Sequence, residues 1–152
     1  MATPHETSSG RTAATQGVRC LIVTPESTIL DARAQFVRLP LFDGQRGVGR
    51  GHAPFIGRLG AGEVRLVGGP GVAADAVRSV FVDGGFVEVG QDAVTVITQR
   101  AVSADRLDAG KARAELERLR TARATGDEEI AARMKAEESA RAQLRAAGQA
   151  RS

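Results

Sequence analysis

The side chains able to do chemistry are few in this 152-residue chain, and their spacing suits none of the common reactions. Histidine occurs at His5 and at His52, the latter in a turn before Ala53-Pro54. Two histidines so far apart offer no i, i+4 ligand pair, so a zinc site is not expected. Cys20 is the single cysteine, which excludes an internal disulfide and the four-cysteine metal sites. It stands in an apolar run and reads as a small buried hydrophobe, not a nucleophile. Lys111 and Lys135 are the only lysines; neither closes a glycine-bounded phosphate loop or precedes Ser or Thr. Gly47, Gly49 and Gly51 match no dinucleotide fingerprint and precede no helical pattern. The serines lack a nucleophile elbow. Asp43 and Asp83 each precede a glycine, the habit of turn residues. No active site is predicted, and His52 is read as a structural or interface residue.

The elements that would carry such residues divide the chain in two. Residues 1–104 hold 15 of the 18 glycines and all five phenylalanines, with 10 basic and 9 acidic side chains. Residues 105–152 hold 11 basic and 9 acidic side chains in less than half that length, and no aromatic. The first part reads as strands and turns, the second as charged helix. A net charge of +3 with both signs interspersed is a mixed surface, which excludes a nucleic-acid-binding stripe. No apolar run approaches 18 residues, so no membrane insertion is expected. Residues 1–17, rich in Ser, Thr, Ala and Gly, have no apolar periodicity and read as a disordered extension. They also lack the apolar stretch of a secretory signal.

Within 18–102 a β-sandwich domain is expected. Val18 to Val23 is an apolar run stopped by Thr24-Pro25, where proline removes a ladder donor. Ala32, Ala34 and Phe36 alternate with Arg33 and Gln35, and Val64 and Leu66 with Glu63 and Arg65, as in half-buried strands. Val77–Val82 and Phe86–Val89 flank Asp83-Gly84-Gly85, which reads as a tight hairpin turn. Val94–Thr98 follows, and Gly68-Gly69-Pro70-Gly71 is a further turn. Strands spaced by about ten residues without helices between them mean a sandwich or barrel.

Residues 103–148 predict an antiparallel two-helix hairpin, with 149–152 a disordered end. Ser103 is the expected N-cap, and Ala109, Ala112, Leu116 and Leu119 form a stripe at helical spacing. Thr125-Gly126-Asp127-Glu128 offers a capping box and a chain reversal. The second helix carries Ile130, Met134 and Leu144, interrupted by Glu137 and Arg141, or else a continuous small face of Ala132, Ala136 and Ala140. Pairs Glu129–Arg133 and Glu137–Arg141 would each add about 0.2–0.5 kcal/mol. Faces this rich in alanine bury little area, so the hairpin should be steady only when docked and able to take a second position.

Three segments in order resemble the epsilon subunit of F-type ATP synthases. They are Thr24-Pro25-Glu26 with Leu30-Asp31; Leu39-Pro40-Leu41-Phe42-Asp43-Gly44-Gln45-Arg46-Gly47-Val48 with Gly51-His52-Ala53-Pro54; and Phe81-Val82-Asp83-Gly84-Gly85-Phe86-Val87-Glu88-Val89 running to Val94–Thr98 and Ala101. The resemblance covers Val18 to about Ala147. It implies an antiparallel β-sandwich followed by a two-helix hairpin, in a noncatalytic central-stalk subunit. The implied partners are the gamma subunit, the c-ring and the alpha/beta catalytic head. The sandwich would help couple ion-driven ring rotation to ATP synthesis, and the hairpin would restrain ATP hydrolysis. The implied location is the cytoplasmic side of a bacterial inner membrane, as a peripheral protein.

The resemblance also suggests site residues. Gly47, His52 and Pro54 fall in its central signature. Arg118, Arg120 and Arg123 would meet acidic surfaces of the head, since complementary charge steers docking. The family commonly has Leu-Pro where this chain has Gly49-Arg50. Some bacterial relatives bind ATP through an I/L-D-x-x-R-A motif, which Leu107-Asp108-Ala109-Gly110-Lys111-Ala112 follows with lysine in place of arginine. A regulatory ATP would therefore be held by Asp108, Lys111 and Arg141, and no cofactor is required. The competing expectation is a freestanding β-sandwich binding module with a helical oligomerisation tail.

Overall fold

The computed structural model describes residues 17–149 and places eight strands before two helices. The run that stops at Thr24-Pro25 is β1 (Val18–Val23), with Val18, Cys20 and Ile22 fully buried. Then come β2 (Thr28–Ala34), β3 (Phe36–Leu41), β4 (Gly44–Gly49), β5 (Phe55–Val67), β6 (Val77–Gly90), β7 (Ala93–Ile97) and β8 (Ala101–Ser103). Their order in the sheet is β2-β1-β7-β6-β5-β3-β4, with β8 paired to β6. The sheet folds over on itself, so that Cys20, Val37, Val48, Val64, Val82 and Val94 from six strands share one core. Each fully buried aliphatic side chain there contributes about 1.5–3 kcal/mol. The predicted architecture, a β-sandwich followed by a helical hairpin, is the one observed. One pairing, β1 with β7, is parallel. Parallel neighbours need a long connection, and the whole of β2 to β6 lies between these two.

Four local readings are corrected by the strands. Asp83-Gly84-Gly85 is not a hairpin turn, because β6 runs through it without a break. β6 pairs with β5 on both sides of Gly84, from Val77 opposite Val67 to Val89 opposite Phe55. The glycines take φ +78° and +111°, which bends the strand so that its first half pairs with β8 and its second with β7. A Cβ on Gly85 would strike the Ile97 carbonyl oxygen, so the second glycine is required by close backbone approach. Asp83 is accordingly a strand residue, whereas Asp43 does sit in the two-residue turn between β3 and β4. The Ala32–Ala34–Phe36 alternation breaks at Gln35, where β2 gives way to β3: Ala34 is buried and Phe36 faces outward. Finally, the glycine-rich segment that contains Gly47 and Gly49 is β4, a strand unrecognised in the sequence because glycine is depleted in strands.

The helices are α1 (Ala109–Thr121) and α2 (Asp127–Gln149). Ser103 does not cap α1; it ends β8 and opens a single 3-10 turn over Ala104–Arg106, with no side-chain cap bond. The cap is Asp108, whose carboxylate accepts from the Gly110 and Lys111 N–H groups at 2.9 and 3.1 Å. The stripe Ala112, Leu116 and Leu119 is buried as expected. At the reversal Gly126 takes φ +94°, and the carboxylate that reaches back belongs to Glu129, not Glu128, accepting from the Thr125 N–H at 2.9 Å. With Glu129 so engaged, Arg133 turns to Glu137 instead, which also pairs with Arg141 at 2.9 Å. Arg133 donates to the Ala122 carbonyl as well, tying α2 to the end of α1. The predicted disordered segments fall outside the described residues, apart from Gly17 and Gln149, which lie at the two ends of the described span.

Candidate docking surfaces

Among the described residues no group of three His, Cys, Asp or Glu side chains could hold a metal ion. Cys20 is fully buried, and burial, with the Asp31 charge adding to it, pushes its thiol up to about 12. It is the inert core residue expected. His52 lies in the turn between β4 and β5, its Nδ1 donating to the Ala53 carbonyl at 2.8 Å. Its ring meets Phe55 at 5.5 Å, and the Arg46 guanidinium covers the same Phe55 ring at 4.9 Å. The Gly51 N–H donates to Asp92 Oδ1 at 3.0 Å, which fastens this turn to the one joining β6 and β7. Pro54 is exposed beside it. Gly47 is placed differently: a Cβ there would run into the Phe36 ring packed across from β3, so its need for glycine is structural.

One outward apolar surface was not recognised in the sequence. Arg58, Phe86 and Ile97 stand opposite one another across β5, β6 and β7, with Ile56 two residues from Arg58 on the same face. Ile56, Phe86 and Ile97 are 79%, 58% and 54% exposed. Phe42, at the β3–β4 turn, extends the patch, its ring 4.6 Å under the Arg58 guanidinium. A signal for it existed. In Phe86-Val87-Glu88-Val89 and Val94-Thr95-Val96-Ile97 the inward valines alternate with outward positions, two of which carry large apolar residues where polar ones belong. A contiguous patch of this kind marks an interaction site.

The hairpin covers the adjoining part of the sheet, and Lys135 and Glu138 of α2 line a cleft together with Phe42, Arg58 and Phe86. Phe81 is fully buried against Ala142 and Ala146, with Ala61 and Leu107 beside them. Ser139, Ala140 and Ala147 are also buried, so the small face of α2 lies further along the helix than the Ala132–Ala136–Ala140 row. Alanines let the helix approach the sheet closely. Arg65 reaches across to Gln149 Oε1 at 3.3 Å. Of the two faces offered for the second helix, the larger one is not the buried one: Ile130 and Met134 are exposed, Met134 at 64%. Of the predicted arginines, Arg118 pairs with Glu115 at 2.6 Å and Arg120 with Glu117 at 3.1 Å, both on the surface of α1. Arg123 is exposed beyond the helix. Leu107 packs on the Phe81 cluster beside Ala142 and Ala146, and Asp108 follows it as the cap of α1. Lys111 is exposed on the first turn, and Arg141 is held by Glu137.

Glu63 lies where the end of α2 meets the sheet, in a cleft it shares with Arg145 and Gln149. Burial raises its pKa, and the Arg65 charge opposes the rise. The folded chain therefore holds this proton more tightly than the unfolded one. The resulting penalty is absent at low pH and grows as pH rises through the glutamate range. Glu63→Gln is expected to raise the urea midpoint at pH 7, with the gain over wild type shrinking as both are acidified towards pH 4. A gain independent of pH would refute the titration.

The described chain is thus a β-sandwich with an outward apolar patch, followed by a helical hairpin seated on it through small residues. The family description "ATP synthase, Delta/Epsilon chain, beta-sandwich domain" matches residues 18–104, more than half of the chain. The ATP synthase epsilon chain of Rhodopirellula baltica is 54% identical over 93 residues, covering 60% of this chain and 67% of that one. The epsilon chain of Polynucleobacter necessarius is 39% identical over 95 residues, covering 62% and 66%. In the cryo-EM structure of the Euglena gracilis mitochondrial ATP synthase, one chain matches with TM-score 0.68 at 22% identity, covering 99% of this chain and 90% of that one. At that identity the match speaks for the fold. The chain belongs to the delta/epsilon family of ATP synthase subunits, among its epsilon chains. It spans about two thirds of the length of the relatives it matches. Among the described residues no helix is long and apolar enough to cross a membrane.

Proposed function

We propose that this chain is a noncatalytic central-stalk subunit that couples ring rotation to ATP synthesis and restrains ATP hydrolysis through its hairpin. The observation that carries this reading is the division of surfaces: Ile56, Phe86 and Ile97 lie bare on the sandwich, while the hairpin is held beside them chiefly by Phe81 and alanines. The bare face docks on the gamma subunit, with the c-ring beside it, and the subunit sits peripherally on the cytoplasmic side of the inner membrane. The hairpin, leaving Phe81, carries Arg118, Arg120 and Arg123 to the acidic surface of the catalytic head. A regulatory ATP would meet cations at Lys111 and Arg141, and a carboxylate at Asp108 that already caps α1.

The test adds full-length protein, or a chain ending at Ala104, to a matching epsilon-depleted ATPase complex. The main sandwich core contains no hairpin residue, which supports folding of the short chain. Both are expected to bind, and only the full-length chain to suppress hydrolysis. Binding by neither would favour the freestanding module. Equal suppression by both would remove the hairpin from the inhibitory role.

A further inference from the structure

The apolar face on β5, β6 and β7 also carries a lone charge. Val87 and Val89 point into the core, so Phe86 and Glu88 beside them point outward and are exposed. The ladder sets Ile56 of β5 and Thr95 of β7 directly opposite Glu88, one on each side. Leu21 of β1 follows Thr95 in the same row, and Asp31 of β2 follows Leu21. One step along the strands lies the row of Arg58, Phe86 and Ile97, continued by Val23 of β1. Glu88 therefore stands inside the patch, because side chains directly opposite or two apart on one face are neighbours.

The chain itself supplies no counter-ion. Among the described residues no Lys, Arg or His lies within ion-pair distance of Glu88. Arg58, diagonal to it across β5 and β6, has its guanidinium 4.6 Å over the Phe42 ring. Arg19 and Arg33, further along the face, share the charge of Asp31, which Arg19 holds at 2.7 Å. In water a solitary carboxylate is well hydrated. A partner laid over Ile56 and Phe86 strips that water away, and a desolvated ion without a counter-ion opposes binding strongly. Only a cation brought by the partner to this position removes the penalty.

We propose that Glu88 sets the specificity of this face, which fits a protein surface carrying a lysine or arginine set among apolar side chains. The inference rests on the reading of Ile56, Phe86 and Ile97 as the face that docks in the stalk. A second copy of this chain is a poor match, because the cations it would offer are engaged over Phe42 and at Asp31.

Affinity of the full chain for a matching epsilon-depleted ATPase complex would be measured for Glu88→Asp, Glu88→Gln and Glu88→Leu. The double variant Ile56→Asp with Phe86→Asp serves as the reference for loss of the face. Glutamine leaves the partner's cation buried and unpaired, so binding should weaken about thirtyfold or more, as for a broken interfacial charge pair. Leucine adds apolar area in the middle of the patch and should nevertheless weaken binding at least as much. Aspartate keeps the charge on a shorter arm and should lie nearer wild type. Glu88 is exposed, so the unfolding midpoint should hardly move in any of the three. Tighter binding by Glu88→Leu than by wild type would place an apolar group opposite Glu88 and overturn the proposal. Affinity indifferent to all three substitutions, while the double aspartate variant fails to bind, would overturn it as well. Dimers of the free chain that Glu88→Gln dissolves, seen by sedimentation velocity, would give the face to a second copy instead. Wild-type binding by the double aspartate variant is a different failure: it removes the whole face from the interface, and the underlying stalk reading of that face falls with it.

Discussion

Phe81→Ala is expected to lower the unfolding free energy by about 3–5 kcal/mol, the usual cost of emptying a buried phenylalanine site. Against a domain total of about 5–15 kcal/mol that is a large share. Phe81 is fully buried although Val80 and Val82 on either side of it already fill the sandwich core. Its ring faces the other way, under Ala142 and Ala146. The loss therefore falls first on the hairpin's seat. Alanine opposite alanine leaves only small side chains, Leu107 and the Arg65–Gln149 bond among the described contacts that hold α2 on the sheet. Two readouts check this together: urea unfolding, and hydrogen exchange of α1 and α2 amides against those of β5 and β6. Faster exchange in the helices than in the strands is expected, with Phe81→Leu nearer wild type. A stability change under about 1 kcal/mol, or strands and helices loosening equally, would show that the hairpin is seated by something else.

The same residue shows what was legible in the chain. Val80-Phe81-Val82 is a run of three apolar residues, and such a run signals a strand covered on both faces. The strand was readable, but not that an alanine-rich helix far along the chain supplies the second cover. Alanines seldom announce a contact, because they appear on any helix; pattern alone left the alanine face level with the Ile130–Met134 stripe, which stands in solvent. Strand positions followed the period-2 pattern wherever one face was polar, as in Val64 and Leu66. The errors cluster at glycines. Asp83-Gly84-Gly85 has the composition of a turn and the role of a bend, and only the partner strands decide between them. β4 carries three glycines in six residues, so its pattern vanishes. One of these, Gly47, is needed because Phe36 lies across it, a contact set by register. At α1, Ser103 and Asp108 are both good caps by type. Pairing of Ser103 with Val80 in the sheet leaves the cap to Asp108.

Ile56→Asp combined with Phe86→Asp should abolish docking of the sandwich on its proposed stalk partner while leaving the fold unchanged. Both side chains are more than half exposed, and exposed substitutions away from special contacts usually move stability by about 0.5 kcal/mol or less. In a docked state the balance differs. Each apolar side chain that completes its burial contributes about 1–2 kcal/mol. A carboxylate in its place must be stripped of water without a partner, at a cost of several kcal/mol. The two losses together correspond to about a thousandfold or more in affinity. Arg58, between the two positions, works against this by offering the new acids a cation. The paired variant Ile56→Gln with Phe86→Gln separates the two contributions, since it removes apolar area without adding charge. Binding to the epsilon-depleted complex would be measured by co-sedimentation, with circular dichroism confirming the fold. Loss in the aspartate variant and partial loss in the glutamine variant assign the face. Binding at wild-type strength by both would move the interface off this sheet, and the turn shaped by His52, Phe55 and Arg46 would become the surface to test next.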